Sequence, residues 1–181
     1  GERIALVLWP GVLYCAGRAF DVVEVARLAR AQGCAVGFDL AHSFGNLPLA
    51  LHDSGADFAA WCHYKYGNSG PGAVAGAFVH ARHAKDPSLP RFAGWWGHDK
   101  ATRFRMGPDF HPIPGAEGWQ LSNPPVLGMA ALLASLELFI AAGLPALREK
   151  SLALTGRLLR RLDETLSGRV EVLTPREPAH R

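Results

Sequence analysis

Short continuous apolar runs dominate the early part of the chain, and long helical ones the later part. Ile4 to Leu8 reads as a buried strand, broken by Pro10-Gly11. Asp21 stands where a helix cap belongs. Val22, Val25, Ala26, Leu28 and Ala29 then recur at helical spacing, which predicts a helix from Val22 to about Gln32, stopped by Gly33. Cys34 to Phe38 is the next strand. Strand, helix and strand within about thirty-five residues make a βαβ unit, whose strands run parallel. Asp57 to Cys62 and Ala73 to His80 read as further strands. From about Lys85 to Pro125 Gly and Pro are frequent and loops are expected. A loop region of about forty residues inside a compact domain is uncommon and usually functional. A long apolar helix is predicted over Val126 to about Ala142. A second follows from about Pro145 to Leu166, with Leu147, Leu154, Leu158, Leu162 and Leu166 on one side. The expected fold class is α/β, a mainly parallel sheet with flanking helices.

Composition narrows the function classes. With 181 residues, 49% apolar and 19% charged, the chain is long enough for a sizeable core and reads as soluble and globular. The net charge of +3 is small, and basic residues are scattered apart from Arg157, Arg160 and Arg161. No basic stripe with interleaved aromatics points to nucleic acid. Cys15, Cys34 and Cys62 lie in or beside apolar segments without a CxxC pair, so buried reduced thiols in a cytoplasmic protein are expected, and no metal site. Val126 to Leu144 contains nineteen residues with one charge, Glu137. Length alone admits a membrane span. The preceding Pro124-Pro125, the internal Glu137 and the lack of an aromatic or cationic belt favour a helix buried in an α/β domain instead. Gly70 to Gly76 lacks the Lys-Ser or Lys-Thr ending of a nucleotide loop and leads into a strand. Its glycines suit close backbone passage by a ligand.

The chemistry-bearing pair is Asp39 and Lys65. Each lies just past an apolar run read as a strand, and ligands of such sheets bind beyond the carboxyl ends of the strands. A strand-end carboxylate and a nearby lysine suit pyridoxal 5′-phosphate: the amine forms a Schiff base with the aldehyde, and the carboxylate pairs with the protonated ring nitrogen. By themselves they are also consistent with a surface lysine near a turn and a capping acid.

Four segments sharpen this: Phe38-Asp39-Leu40-Ala41-His42, Tyr64-Lys65-Tyr66, Gly94-Trp95-Trp96-Gly97-His98 and Ser122-Asn123-Pro124-Pro125. In this order, from about Val7 to about Gly156, they closely resemble the kynureninase family, pyridoxal-phosphate enzymes of the fold-type-I aminotransferase superfamily. The resemblance implies hydrolysis of L-kynurenine, or its 3-hydroxy form, to an anthranilate and L-alanine, in tryptophan catabolism and NAD biosynthesis. It implies Lys65 as Schiff-base lysine and Cα base, and Asp39 as partner of the ring nitrogen. It implies His42 as support for Asp39, and Tyr64 as phosphate ligand and proton donor to the product carbanion. It places Trp95 near the cofactor phosphate and substrate of a neighbouring subunit, hence a homodimer with shared sites. It places Asn123 on the cofactor and substrate side. Asn123 also suits an Asn-Pro turn, and Trp95 a packing role. Arg103 and Arg105 suit either a subunit interface or a substrate.

Relative to that family the chain reads as an internal piece. It opens on Gly1 rather than Met and closes on a polar tail. Residues 1–144 correspond to part of the large cofactor-binding domain, and 145–181 to an interdomain helix and the start of a small C-terminal domain. The resemblance assigns the main phosphate turn, the ring-stacking aromatic and an arginine for the substrate carboxylate to parts outside this span. Two alternatives stay open. One is another class V enzyme, a cysteine desulfurase or an aminotransferase. Against it stand the Gly94–His98 segment and the core-like cysteines, since a desulfurase needs a cysteine on a mobile loop. The other is an inactive piece that only associates with partners.

Overall fold

The computed structural model describes residues 4–84, 86 and 88–181. The expected loop region therefore starts, at Lys85, outside the described residues, as does the chain opening Gly1-Glu2-Arg3. Strand β1 (Leu6–Pro10) leads into a small hairpin, β2 (Val12–Leu13) and β3 (Arg18–Ala19), then helix α1 (Val22–Ala31) and strand β4 (Ala35–Asp39). A single turn, α2 (Leu51–Ser54), precedes β5 (Phe58–Cys62); β6 (Ala75–Val79) and the short α3 (Ala81–Ala84) follow. After the loops come α4 (Val126–Ala142) and α5 (Leu144–Leu166).

The βαβ unit forms as its sequence pattern implies. The Asp21 carboxylate accepts from the backbone N–H groups of Val23 at 2.9 Å and Glu24 at 3.1 Å, closing two orphan donors of the first turn. Gly33, at φ 73°, lets the chain leave the helix. The apolar face of α1 buries Val22, Ala26 and Ala29 against the sheet. Four strands lie in the order β1-β4-β5-β6. β1, β4 and β5 are parallel, in a register that sets Pro10 beside Asp39 and Asp39 beside Ala60. β6 returns antiparallel to β5, because the connection contains no crossover helix. Val36, Phe38, Leu40, Ala26 and Ala56 form the fully enclosed centre. Gly37 is required there by close approach: a Cβ would lie 2.2 Å from the Phe58 ring.

Several expectations shift. β1 begins and ends two residues later than the apolar run suggested, taking in Pro10. Proline is tolerated there because β1 is an edge strand and Pro10 is its last residue. The β2–β3 hairpin has strands too short for a period to register. Its turn carries Cys15, which is exposed. The expected burial of the cysteines holds for Cys34, is partial for Cys62 and fails for Cys15.

The long helices depart most. Within this chain α4 is not a buried helix: Leu127 is 89% exposed and Ile140 82%, and Ser135 is the residue that the fold encloses. The leucine stripe of α5 is likewise open, with Leu154 and Leu158 exposed. Apolar residues surround α4 on every side, so no single neighbour in this chain can cover them. Among the described residues no single helix is long and apolar enough to cross a membrane; α4 and α5 pass that test only as a pair, bent by 81°.

The amino-terminal edge of the sheet is fastened by Asp57. Its carboxylate accepts from Val36 N–H at 2.7 Å, from Arg82 Nη2 at 2.5 Å and from His83 Nε2 at 2.6 Å. Burial pushes this carboxyl up, but the His83, Val36 and Arg82 hydrogen bonds outweigh burial and hold it at about 2, below the ordinary 3.8. The unfolded chain therefore binds the proton first as pH falls. The stabilisation is complete above about pH 4 and is lost as pH drops through about 2, an effect of about 2 kcal/mol. Urea unfolding at a series of pH values should show this acid-labile component, and Asp57→Asn should remove it while lowering stability at neutral pH.

Candidate functional site at the carboxyl edge of the sheet

Beyond the carboxyl ends of β4 and β5 two turns face each other. At the end of β4, the backbone of Asp39 is held by the sheet: Gly11 N–H donates to its carbonyl at 2.9 Å, and the next residue's N–H, on Leu40, donates to Ala60 at 2.8 Å. Its side chain is turned out of the core, with Oδ1 accepting from Ala41 N–H at 2.9 Å. This Asx-type bond orients the carboxylate while leaving it exposed. Leu40 is fully buried behind it, and a tight turn through Ala41–Asn46 follows, closed by bonds from the N–H groups of Ser43 and Phe44 to the Leu40 carbonyl.

At the end of β5 the side chains alternate. His63 points inward: its Nδ1 lies 2.5 Å from the Val74 carbonyl and its Nε2 accepts from Trp61 Nε1 at 2.8 Å. Those partners define a neutral imidazole protonated on Nδ1. The Phe44 ring meets it edge-on at 4.9 Å. With His63 committed inward, Tyr64 is exposed and Lys65 is half-buried at the surface.

The two turns meet through Lys65 and His42. Lys65 Nζ lies 3.0 Å from His42 Nε2, the ammonium donating to the imidazole. Tyr14, from the β2–β3 turn, stacks on His42 at 5.8 Å and 24°, and Tyr66 approaches it edge-on at 6.1 Å. Lys65 Nζ also lies 5.9 Å from the centre of the Tyr64 ring. The pKa of His42 is lowered, first by burial and then by the positive charge of Lys65, with Asp39 opposing both. His42 is thus favoured in the neutral form, whose Nε2 can accept a hydrogen bond from Lys65. His42 hydrogen-bonds Lys65 here rather than Asp39, whose bonded partner is Ala41.

The structure therefore brings Asp39, His42, Tyr64 and Lys65 to one edge of the sheet. Among the described residues neither Trp95 nor Asn123 makes a hydrogen bond or ring contact with that group. Trp95 is 44% exposed and meets Trp96 and Phe104 edge-on, each at 5.6 Å. Arg103 explains this loop. It is buried, lies 4.7 Å over the Trp96 ring, and donates to the carbonyls of Trp96 at 2.8 Å and His98 at 3.1 Å. Arg103 thus ties the Gly94–His98 segment together from within. Asn123 is exposed in the turn before α4, its Oδ1 accepting from Ser122 Oγ at 3.2 Å.

Tyr14, Tyr66 and His63 are the neighbours that the sequence did not single out. Tyr66 and His63 flank Lys65 by one and two positions, a visible signal. Tyr14 reaches His42 only through the hairpin, and nothing in the local pattern marks it.

Removing the lysine charge tests the coupling of the two turns. Lys65→Met should raise the His42 pKa, because one of the two influences depressing it is gone, without returning it to the ordinary value, because burial remains. Histidine-resolved NMR titration reads this; an unchanged or lower midpoint would contradict the pairing.

No protein-family model matches the chain. Among curated proteins, a kynureninase from Stenotrophomonas maltophilia is 66% identical over all 181 residues, and one from Xanthomonas euvesicatoria 65%. A third, from Xanthomonas oryzae, is 62% identical over the same span. The match covers the whole of this chain but 43% of each relative, so the chain spans less than half their length. Among solved structures, a cysteine desulfurase from Escherichia coli superposes with a TM-score of 0.69 at 19% identity, over 93% of this chain and 40% of the other. An alanine–glyoxylate aminotransferase from Nostoc superposes with a TM-score of 0.62 at 20% identity, over 88% of this chain and 41% of the other. The low identities to solved structures show the shared α/β fold. The chain is thus similar over its whole length to kynureninases, of which it spans less than half, and shares the α/β fold of the desulfurase and the aminotransferase.

Proposed function

We propose that the protein carrying this chain uses pyridoxal 5′-phosphate to hydrolyse L-kynurenine to anthranilate and L-alanine, with the 3-hydroxy form as a further substrate. The observation that carries the reading is the Lys65–His42 pair, 3.0 Å apart beside the strand-end Asp39, in a chain 66% identical to a kynureninase. The donor set fits the cofactor. Lys65 is a half-buried amine whose hydrogen-bond partner is an imidazole rather than a carboxylate, and Asp39 is exposed with its orientation set by Ala41. A lysine tied into an ion pair would have been poorly suited to bond a carbonyl carbon.

When bound, the cofactor supplies an electron sink for charge developing on the substrate carbon beside its amine. Lys65 Nζ, as a free amine with His42 Nε2 within hydrogen-bond reach, would hold the cofactor at its aldehyde carbon and take the proton from that substrate carbon. The Asp39 carboxylate accepts from the protonated ring nitrogen and keeps it charged. Tyr64, whose phenol is exposed beside Lys65, donates to phosphate and returns a proton to the departing product. Asn123 reads the carbonyl or ring substituent of the substrate, and Trp95 serves the site of a second subunit in a homodimer. In this reading residues 1–144 belong to the large cofactor-binding domain, and residues 145–181 link it to a smaller one. The parts of that larger protein cover the open faces of α4 and α5. The protein works in the cytoplasm, in tryptophan catabolism and the synthesis of NAD.

The desulfurase alternative loses one argument against it, since Cys15 is exposed on a turn. What weighs against it is identity: 62% to 66% with kynureninases over every residue of the chain, against 19% with the desulfurase of similar fold.

Fluorescence of released anthranilate from L-kynurenine, measured on the full-length protein with added pyridoxal 5′-phosphate, tests the proposal. Turnover is expected in the wild type and none in Lys65→Ala. Tyr64→Phe should lower kcat by about a hundredfold or more while still binding cofactor. Borohydride trapping of cofactor on Lys65 without anthranilate release would keep the cofactor and reject the substrate.

A further inference from the structure

The turn that follows Lys65 adopts a demanding conformation. Asn68 is one of the non-glycine residues at positive φ, 52°, a region costly for a side chain unless its surroundings impose it. At Gly67 a Cβ would stand 2.8 Å from the His63 carbonyl, so the chain folds back tightly on the end of β5. Most of the bonds that shape this turn are local. Asn68 N–H donates to the Lys65 carbonyl at 3.1 Å, and Ser69 N–H to that of His63 at 3.1 Å. The Asn68 amide donates to the Tyr66 carbonyl at 3.1 Å, and Ser69 Oγ to that of Gly67 at 3.0 Å.

One bond comes from far away. Ser135 Oγ, on α4, donates to the Gly67 carbonyl at 2.6 Å across a separation of 68 residues. A serine inside a helix commonly bonds back to its own preceding turn. Ser135 instead directs its hydroxyl out of the helix, at the one buried position of an otherwise open and strongly apolar α4. The bond spans buried atoms, where a lost partner is felt most.

We propose that Ser135 is a positioning residue for Lys65: by fastening Gly67 to α4 it fixes the Lys65–Ser69 turn and keeps Lys65 Nζ within reach of His42. The proposal rests on the reading of Lys65 as the reactive amine. Because Gly67 keeps its second donor, Ser69, loss of the Ser135 hydroxyl loosens the turn without dismantling the fold.

The test uses the full-length protein loaded with pyridoxal 5′-phosphate. In Ser135→Ala, amide hydrogen exchange at Asn68 and Ser69 should quicken about tenfold, the consequence of losing one buried hydrogen bond, while Val36 and Phe38 in the sheet keep their wild-type rates. The pH midpoint of the absorbance of cofactor bound to Lys65 should move, and kcat should fall severalfold with KM nearly unchanged. Ser135→Thr, which keeps the hydroxyl, should restore all three. Should Ser135→Ala fail to fold, Ser135→Cys, similar in size with a weaker donor, gives the same changes at smaller amplitude. Wild-type exchange at Asn68 and Ser69, an equal rise at Val36 and Phe38, or an unmoved absorbance midpoint would overturn the role. Absence of Lys65-bound cofactor in the wild type would instead overturn the proposed function, and the exchange rates would still report whether Ser135 holds the turn.

Discussion

Parallel pairing of β4 with β1 and β5 is the constraint on which the site depends. It sets Asp39 in register with Pro10 on one side and Ala60 on the other, so three chain exits lie along one edge. The residues that follow those exits are Tyr14 after β1, His42 after β4 and Lys65 after β5, and they meet because the strands point the same way. An antiparallel pairing of β4 with β5 would have sent the Lys65 turn to the opposite edge. The register is strongly held because β4 is enclosed on both faces, with Val36, Gly37 and Phe38 all buried.

The two edges of the sheet have divided tasks. At the amino edge, the Asp57 carboxylate is saturated by Val36, Arg82 and His83, an arrangement that suits stability. At the carboxyl edge, Asp39 keeps its carboxylate exposed and Lys65 has a neutral imidazole for company. Polar groups left incompletely paired at the ends of parallel strands are the usual substrate for chemistry in such folds. The two histidines near Lys65 show the same division. His63 uses both ring nitrogens to hold β5 to the approach of β6, whereas His42 offers one nitrogen to the lysine.

Two glycines do different structural work around this edge. Gly37 admits the Phe58 ring against β4, and Gly67 lets the Lys65 turn fold onto His63. The second approach places a carbonyl where α4 can reach it, and so a helix remote in sequence comes to touch the turn beside the lysine. The remainder of α4, and the leucines of α5, present apolar surface outward. That open apolar surface fits a chain spanning 43% of the length of its relatives.

Much of this was legible in local patterns. Asp21 and Gly33 bracket α1 because capping and chain reversal are decided within a few residues, and α4 begins and ends where its apolar run does. The apolar runs placed Asp39 and Lys65 at strand ends, and four ordered segments carried the resemblance to kynureninases. What local pattern could not decide depends on residues distant in sequence. Cys15 and the α4 leucines are apolar neighbours of apolar residues, yet their exposure is set by what else packs on them. Arg103, which by sequence suits a subunit interface or a substrate, donates to carbonyls and lies over tryptophan rings of its own loop. Pairing of His42 with Lys65, rather than with Asp39, follows from how two turns are brought face to face. Ser135 is one polar letter in an apolar helix. Only the tertiary fold, by setting α4 against Gly67, decides what that hydroxyl is for.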